Sequence, residues 1–201
     1  MRYIKITDYV KNLTREEIDW FDDFISGGFE NQQRPDLERG LLLYAIAKKL
    51  NAKRCLDIGT AGFFSARAMA KWCFTDTIDI IGEMPKKPFK NITFIKGKSQ
   101  DIVPKLDKYD VCFIDGDHFY EGVKQDIQNC KDKCRIIVCH DYGNEKWVTK
   151  AIDEELNNFI LILEDRMWFG APYENGQDKN GNDIDYGVVV YDKNNLLGDE
   201  L

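Results

Sequence analysis

The chain carries two histidines, and both stand in the same setting. His118 closes "VCFIDGDH" and His140 sits in "RIIVCHDYG". Each follows an apolar, strand-like run, and each has aspartates beside it: Asp115 and Asp117 in the first case, Asp141 in the second. One such pair is an ordinary feature of a polar loop. Two pairs at the ends of neighbouring strands would meet on one rim, and imidazole beside carboxylate is what metal sites and proton-transfer sites are built from.

The elements that must position these groups alternate along the chain. Thr14-Arg15-Glu16-Glu17 is a capping-box pattern opening a helix that stops at Gly27-Gly28, and Pro35 opens a second, "PDLERGLLLYAIAKKL". Seven short apolar runs then read as strands: "RCLDI", "DTIDII", "ITFIK", "VCFID", "RIIVC", "FILIL" and "GVVVY". Helical stretches lie between most of them: "SARAMAKW", a short "SQDIVPKL", "YEGVKQDIQNC" and "KWVTKAIDEELNN". Continuous rather than alternating apolar runs mark strands buried on both faces, so the order predicts a doubly wound α/β sheet. Residues 165–186 form a long polar connection whose Trp168, Phe169 and Tyr173 fit either a lid or packing beneath the loop.

In such sheets ligands bind beyond the carboxyl ends of the strands. The first of the seven ends at Asp57 and Gly59, the second carries Asp79, and the third is followed by Ser99 and Gln100. Counting G-x-G-x-x-G from Gly59 meets Ala61 and Phe64, which disfavours a dinucleotide, and no P-loop is present. Asp79 stands about 20 residues beyond Gly59, where a carboxylate grips a ribose diol. A ribose-bearing cofactor without a pyrophosphate fits best, and S-adenosylmethionine, with its cationic sulfonium, meets that description.

A chain of 201 residues with net charge −7 reads as one domain and disfavours nucleic acid as a partner. No run of about 20 apolar residues predicts a membrane span, and the start lacks the apolar run of a signal peptide. Cys55, Cys112 and Cys139 sit in apolar runs and read as small core residues. Cys130 and Cys134 have C-x₃-C spacing without a second ligand pair, so a zinc site is not expected. A reducing cytoplasm is the compartment these thiols suit.

Taken in order, "LDIGT…FFSARAMA", "TIDI", "GKSQDIVPKL", "YDVCFIDGDHFYEGVKQDI" and "IIVCHDYG" resemble class I S-adenosylmethionine-dependent O-methyltransferases. The resemblance runs over about residues 50–160 and lies nearest the metal-dependent small-molecule branch, which includes catechol, caffeoyl-CoA and bacterial sugar and antibiotic enzymes. It implies a Rossmann-like seven-stranded, mostly parallel sheet with an antiparallel last strand, and first helices that cover the cofactor or form a homodimer face. It also implies that Asp57, Gly59 and Ser65 line the methionine end, Asp79 holds the ribose, and Ser99 and Gln100 flank the adenine. Asp115, which also borders the cofactor, matches the first metal ligand, and His140 and Asp141 occupy the paired ligand position. His118 falls where catechol-type relatives place a lysine base. The implied reaction is methylation of a small hydroxylated acceptor with Mg²⁺ or another divalent ion, or without metal, using His118 or His140 as base. A non-catalytic cofactor-binding domain is the alternative.

Three departures accompany the resemblance. Phe63 stands where relatives usually have glycine. "GEMPKKPFKN", with Pro85 and Pro88, leaves little room for a crossover helix. His140 replaces an acid or amide, which weakens the expectation of a metal more than that of the fold.

Overall fold

The computed structural model describes residues 2–5, 14, 16, 34–84, 86, 89–163 and 187–198. The elements are β1 (Arg2–Lys5), α1 (Arg34–Lys49), β2 (Arg54–Ile58), α2 (Phe64–Ala70), β3 (Phe74–Asp79), β4 (Ile92–Lys96), α3 (Ser99–Ile102), a 3₁₀ turn (Val103–Lys105), β5 (Tyr109–Ile114), α4 (Tyr120–Lys131), β6 (Cys134–Tyr142), α5 (Lys146–Glu155), β7 (Ile160–Leu163) and β8 (Gly187–Tyr191).

The strands form one sheet in the order β1-β7-β8-β6-β5-β2-β3-β4. All pairings are parallel except those of β8, which runs antiparallel to β6 and β7. The seven strands legible in the sequence are present. An eighth, β1, extends the sheet at its edge by pairing with β7 in register Arg2↔Ile160. Its four residues, "RYIK", place a basic residue at each end of a two-residue apolar middle and lack the longer apolar run that marks the central strands.

Strand period separates two cores. In β5, Cys112 and Ile114 face Val123 and Ile127 of α4 and join Val148 and Ile152 of α5 in one cluster. Val111 and Phe113, one residue out of phase, join Leu42, Leu43 and Ile46 of α1 and Met69 of α2 in the other. Helices therefore cover both faces. Chain order reverses across β2, with β3 and β4 on one side and β5 on the other. The crevice beyond the ends of β2 and β5 is the switch point at which such sheets take ligands.

Two of the sequence expectations find a physical form here. No helix joins β3 to β4 among the described residues. Phe63 heads α2 with φ 64° and ψ 17°, a left-handed conformation that glycine usually supplies. Its ring packs away from the crevice, against Phe89 and Phe94 at centroid distances of 5.4 and 5.8 Å. Most of the helix expected from Thr14, and the 165–186 connection with Trp168, Phe169 and Tyr173, lie outside the described residues. No helix among the described residues is long and apolar enough to cross a membrane.

Candidate active site

A cleft of about 610 Å³ opens at the switch point, lined by residues that follow β2, β3, β4 and β5. Gly59 forms its floor. With φ +99° its backbone turns so close to β5 that an added Cβ would lie 2.1 Å from the Asp115 carbonyl oxygen, and no side chain fits. Glycine is therefore required at this position by the close approach of strand to strand.

Asp79 ends β3 and lines the cleft. Its Oδ2 accepts the Ala61 N–H at 3.1 Å and its Oδ1 accepts the Ile81 N–H at 3.0 Å. Two backbone donors thus fix the carboxylate, and each oxygen keeps acceptor capacity for a diol. Beside it, Ile80, Ile81 and Phe119 are 61%, 70% and 76% exposed. Apolar side chains left this bare along a cleft wall suit a flat ring seated between them.

Ser99 and Gln100 form the neighbouring wall. Gln100 Nε2 donates to Asp126 Oδ2 at 3.0 Å. Asp126 is fully buried in α4, and burial pushes its carboxyl up to about 7 against the hydrogen bonds of Ser99 and Gln100. This aspartate, which the sequence reading passed over, ties the wall to the fold.

Asp57 and Ser65 do not reach the cleft surface. Asp57 is fully buried in β2, where it accepts a 2.6 Å hydrogen bond from Thr77 Oγ1, itself 2.6 Å from Thr60 Oγ1. Burial pushes its carboxyl up to about 7, opposed by the hydroxyls of Ser65 and Thr77. Asp57 Oδ1 has no hydrogen-bond partner among the described residues. Of the three residues expected at the methionine end, only Gly59 touches the space directly; Asp57 supports it from beneath.

The acid–imidazole groups converge as expected. His140 Nδ1 lies 3.1 Å from Asp115 Oδ1 and 3.2 Å from Asp141 Oδ1. His118 Nε2 lies 3.2 Å from Asp141 Oδ2 and 3.8 Å from Asp115 Oδ1, closing a ring of four side chains. β6 carries two of the four, His140 and Asp141, and a register shift between Cys139 and Tyr142 re-aims them. Asp141 takes φ 60° within that irregularity, a conformation aspartate tolerates better than most residues. Asp117 belongs elsewhere: its Oδ1 accepts the Phe119 N–H at 2.9 Å ahead of α4.

Burial alone would raise both acids, but the His140 charge and the imidazole hydrogen bonds hold Asp115 well below the carboxylate range, and His140 likewise lowers Asp141. The carboxylates of Asp115 and Asp141 beside it raise His118. Burial acts to lower His140, yet the charge of Asp115 and the hydrogen bonds to Asp115 and Asp141 together outweigh it and leave the imidazole well above its ordinary value. A further residue enters from α1. Arg39 is buried, and its positive charge favours ionised Asp115 and disfavours protonated His140. In the sequence Arg39 reads only as one charge on an amphipathic helix.

The donor set also fits a cation. Asp115, His140 and Asp141 each offer one ligand atom, all within 4.8 Å of one another. Ligands about 2.1 Å from a shared six-coordinate ion lie about 3.0 Å apart when adjacent, close to the spacing of His140 Nδ1 from both carboxylates. The locus between them accommodates a proton or a divalent ion.

Comparison with known proteins agrees with this architecture. Residues 41–142, which hold the whole cluster, match the family model described as a methyltransferase domain. No curated protein matches the sequence. Among solved structures, the chain is similar to the O-methyltransferase from Bacillus cereus in complex with S-adenosylhomocysteine, at TM-score 0.56 and 13% identity over 94% of this chain and 98% of that one. An O-methyltransferase of tomaymycin synthesis from Streptomyces achromogenes, bound to S-adenosylmethionine, gives TM-score 0.53 and 13% identity over 92% and 95%. The S-adenosylhomocysteine-bound methyltransferase of Podospora anserina gives 0.52 and 15% over 92% of each chain.

Proposed function

This chain belongs to the methyltransferase domain family, and on that premise we propose that it transfers the methyl group of S-adenosylmethionine to a hydroxyl oxygen of a small acceptor, in one domain acting in the reducing cytoplasm. The observation that carries the oxygen acceptor is the Asp115–His118–His140–Asp141 ring at the mouth of the cleft. An alcohol or phenol is a weak nucleophile at pH 7, and this ring is the means of removing its proton.

The cleft residues divide the cofactor between them. Asp79 accepts from the ribose hydroxyls, Ile80, Ile81 and Phe119 enclose the adenine beside Ser99 and Gln100, and Gly59 leaves room for the methionine. Asp57, buried beneath that end, supports it through Thr77 and Thr60. S-adenosylmethionine brings the reactive group, a methyl carried on a positively charged sulfur.

Asp115, His140 and Asp141 would hold a divalent ion, whose chemistry is to lower the pKa of a bound hydroxyl and orient its oxygen. Two carboxylates suit Mg²⁺, and the imidazole tilts the preference toward Mn²⁺ or Fe²⁺. His118, about half exposed and held by Asp141, takes the acceptor proton and returns it to solvent.

The metal-free reading, with His118 or His140 as sole base, is favoured by one observation: buried Arg39 already brings a positive charge to the cluster. Calorimetry with S-adenosylmethionine, S-adenosylhomocysteine and NAD tests the cofactor. Failure to bind the first two removes the proposal. Turnover unchanged by EDTA selects the metal-free route, which would also quicken as pH rises past the elevated His118 value.

A further inference from the structure

All six cysteines are free thiols, and three of them meet on the α4 face of the sheet. Cys112 lies in β5, Cys130 in the last turn of α4, and Cys134 opens β6. Their sulfurs lie within 4.8 Å of one another, and Cys112 Sγ is 3.3 Å from Cys130 Sγ. The sequence offers only the C-x₃-C pair. The third ligand comes from the neighbouring strand: β5, which carries Cys112, pairs in parallel with β6, which Cys134 begins.

A single buried thiol is an ordinary small core residue. Cys55 and Cys73, 3.2 Å apart, form a pair of that kind. The group of three differs in having the size and access of a metal site. Sulfurs bound at about 2.3 Å to one centre stand about 3.8–4.0 Å apart, between the 3.3 Å of Cys112 and Cys130 and the 4.8 Å that bounds all three. Cys112 and Cys130 are buried, whereas Cys134 is half-buried and gives an entry path.

We propose that Cys112, Cys130 and Cys134 form a three-thiolate site for a thiophilic d¹⁰ cation, Zn²⁺ or Cu⁺, that staples α4 to β5 and β6. Soft thiolate ligands select these ions over Mg²⁺ or Mn²⁺. The site is separate from the cleft: Cys112 precedes Asp115 by three residues, about 10 Å along an extended strand. Binding forms metal–sulfur bonds, releases the thiol protons to solvent and changes no oxidation state.

The test uses the full chain, reduced and free of oxygen, in the Asp141→Ala background so that the oxygen–imidazole site does not compete. It is titrated with Co²⁺, as a probe for Zn²⁺, and separately with Cu⁺. One equivalent should produce a near-ultraviolet thiolate-to-metal charge-transfer band, which oxygen and imidazole ligands do not give. A Co²⁺ band bleached by Zn²⁺ assigns zinc, and a band with Cu⁺ alone assigns copper. Cys134→Ala, or Cys134→Ser should the first variant lose its circular dichroism, weakens the band, while Cys73→Ala retains it. Absence of a thiolate band with either ion in the folded protein overturns the site, as does an undiminished band in both Cys134 variants.

Discussion

Phe63 sets two opposed terms against each other, and replacing it separates them. Its left-handed backbone, φ 64°, costs a residue with a Cβ about 1–2 kcal/mol relative to glycine. Its ring is only 8% exposed and packs with Phe89, Phe94 and Ile92, a burial whose loss costs about 3–5 kcal/mol for Phe→Ala in a core. Phe63→Ala loses the ring and keeps the strain, so it destabilises by about 3–5 kcal/mol. Phe63→Gly loses the ring and sheds the strain, for a net loss of about 1–4 kcal/mol. The glycine variant should therefore be the more stable of the two by about 1–2 kcal/mol, the reverse of the ordinary helix order. Urea unfolding followed by far-ultraviolet circular dichroism measures both. Because the ring is not among the residues lining the cleft, folded Phe63→Gly should bind S-adenosylhomocysteine within about twofold of the parent. An alanine variant more stable than the glycine variant would refute the left-handed backbone. A tenfold or greater loss of affinity would put Phe63 in the cleft wall.

Other consequences follow from the same geometry. Asp79→Ala removes an acceptor pair fixed by two backbone N–H groups and should weaken S-adenosylhomocysteine binding by about 10–100-fold in calorimetry, with the fold retained. Gly59→Ala drives a Cβ against the Asp115 carbonyl and should lower the urea midpoint sharply or abolish soluble protein. Raising the pH should destabilise the metal-free protein. His118 and His140 have folded values above their unfolded ones, so their contribution is complete below about 6.5 and fades as pH climbs through the raised values. Asp57, raised to about 7, binds a proton in the folded state that the unfolded chain has lost, and it pushes the same way between about pH 4 and 7. Asp57→Asn should flatten that part of the profile of urea midpoint against pH.

Much of this is legible in the sequence, for physical reasons that differ by element. The central strands announced themselves because burial on both faces demands unbroken apolar runs, and "RCLDI" and "VCFID" have them. β1 gave no such sign, since an edge strand of four residues need not be apolar throughout. The convergence of His118 and His140 followed from two strand ends, and β5 and β6 do pair as neighbours. Arg39 and Asp126 were invisible because each acts across the sheet or between helices, from positions that look like ordinary charges on a helix surface. The resemblance implies Asp57 at the methionine end, yet strand period turns its side chain inward to Thr77. The three thiols escaped for a similar reason: spacing along the chain reports two of them, and sheet register brings the third.

The most direct measurement is release of S-adenosylhomocysteine over a panel of sugars, catechols and hydroxylated peptides, by the parent chain and by Asp141→Ala, after calorimetry has matched their cofactor affinities. If the aspartate–histidine ring removes the acceptor proton, at least one hydroxylated acceptor turns over. Asp141→Ala should then lose about 10–100-fold in rate while holding S-adenosylhomocysteine as tightly as the parent. Equal rates in the two proteins, on an acceptor both methylate, would contradict the role assigned to the ring.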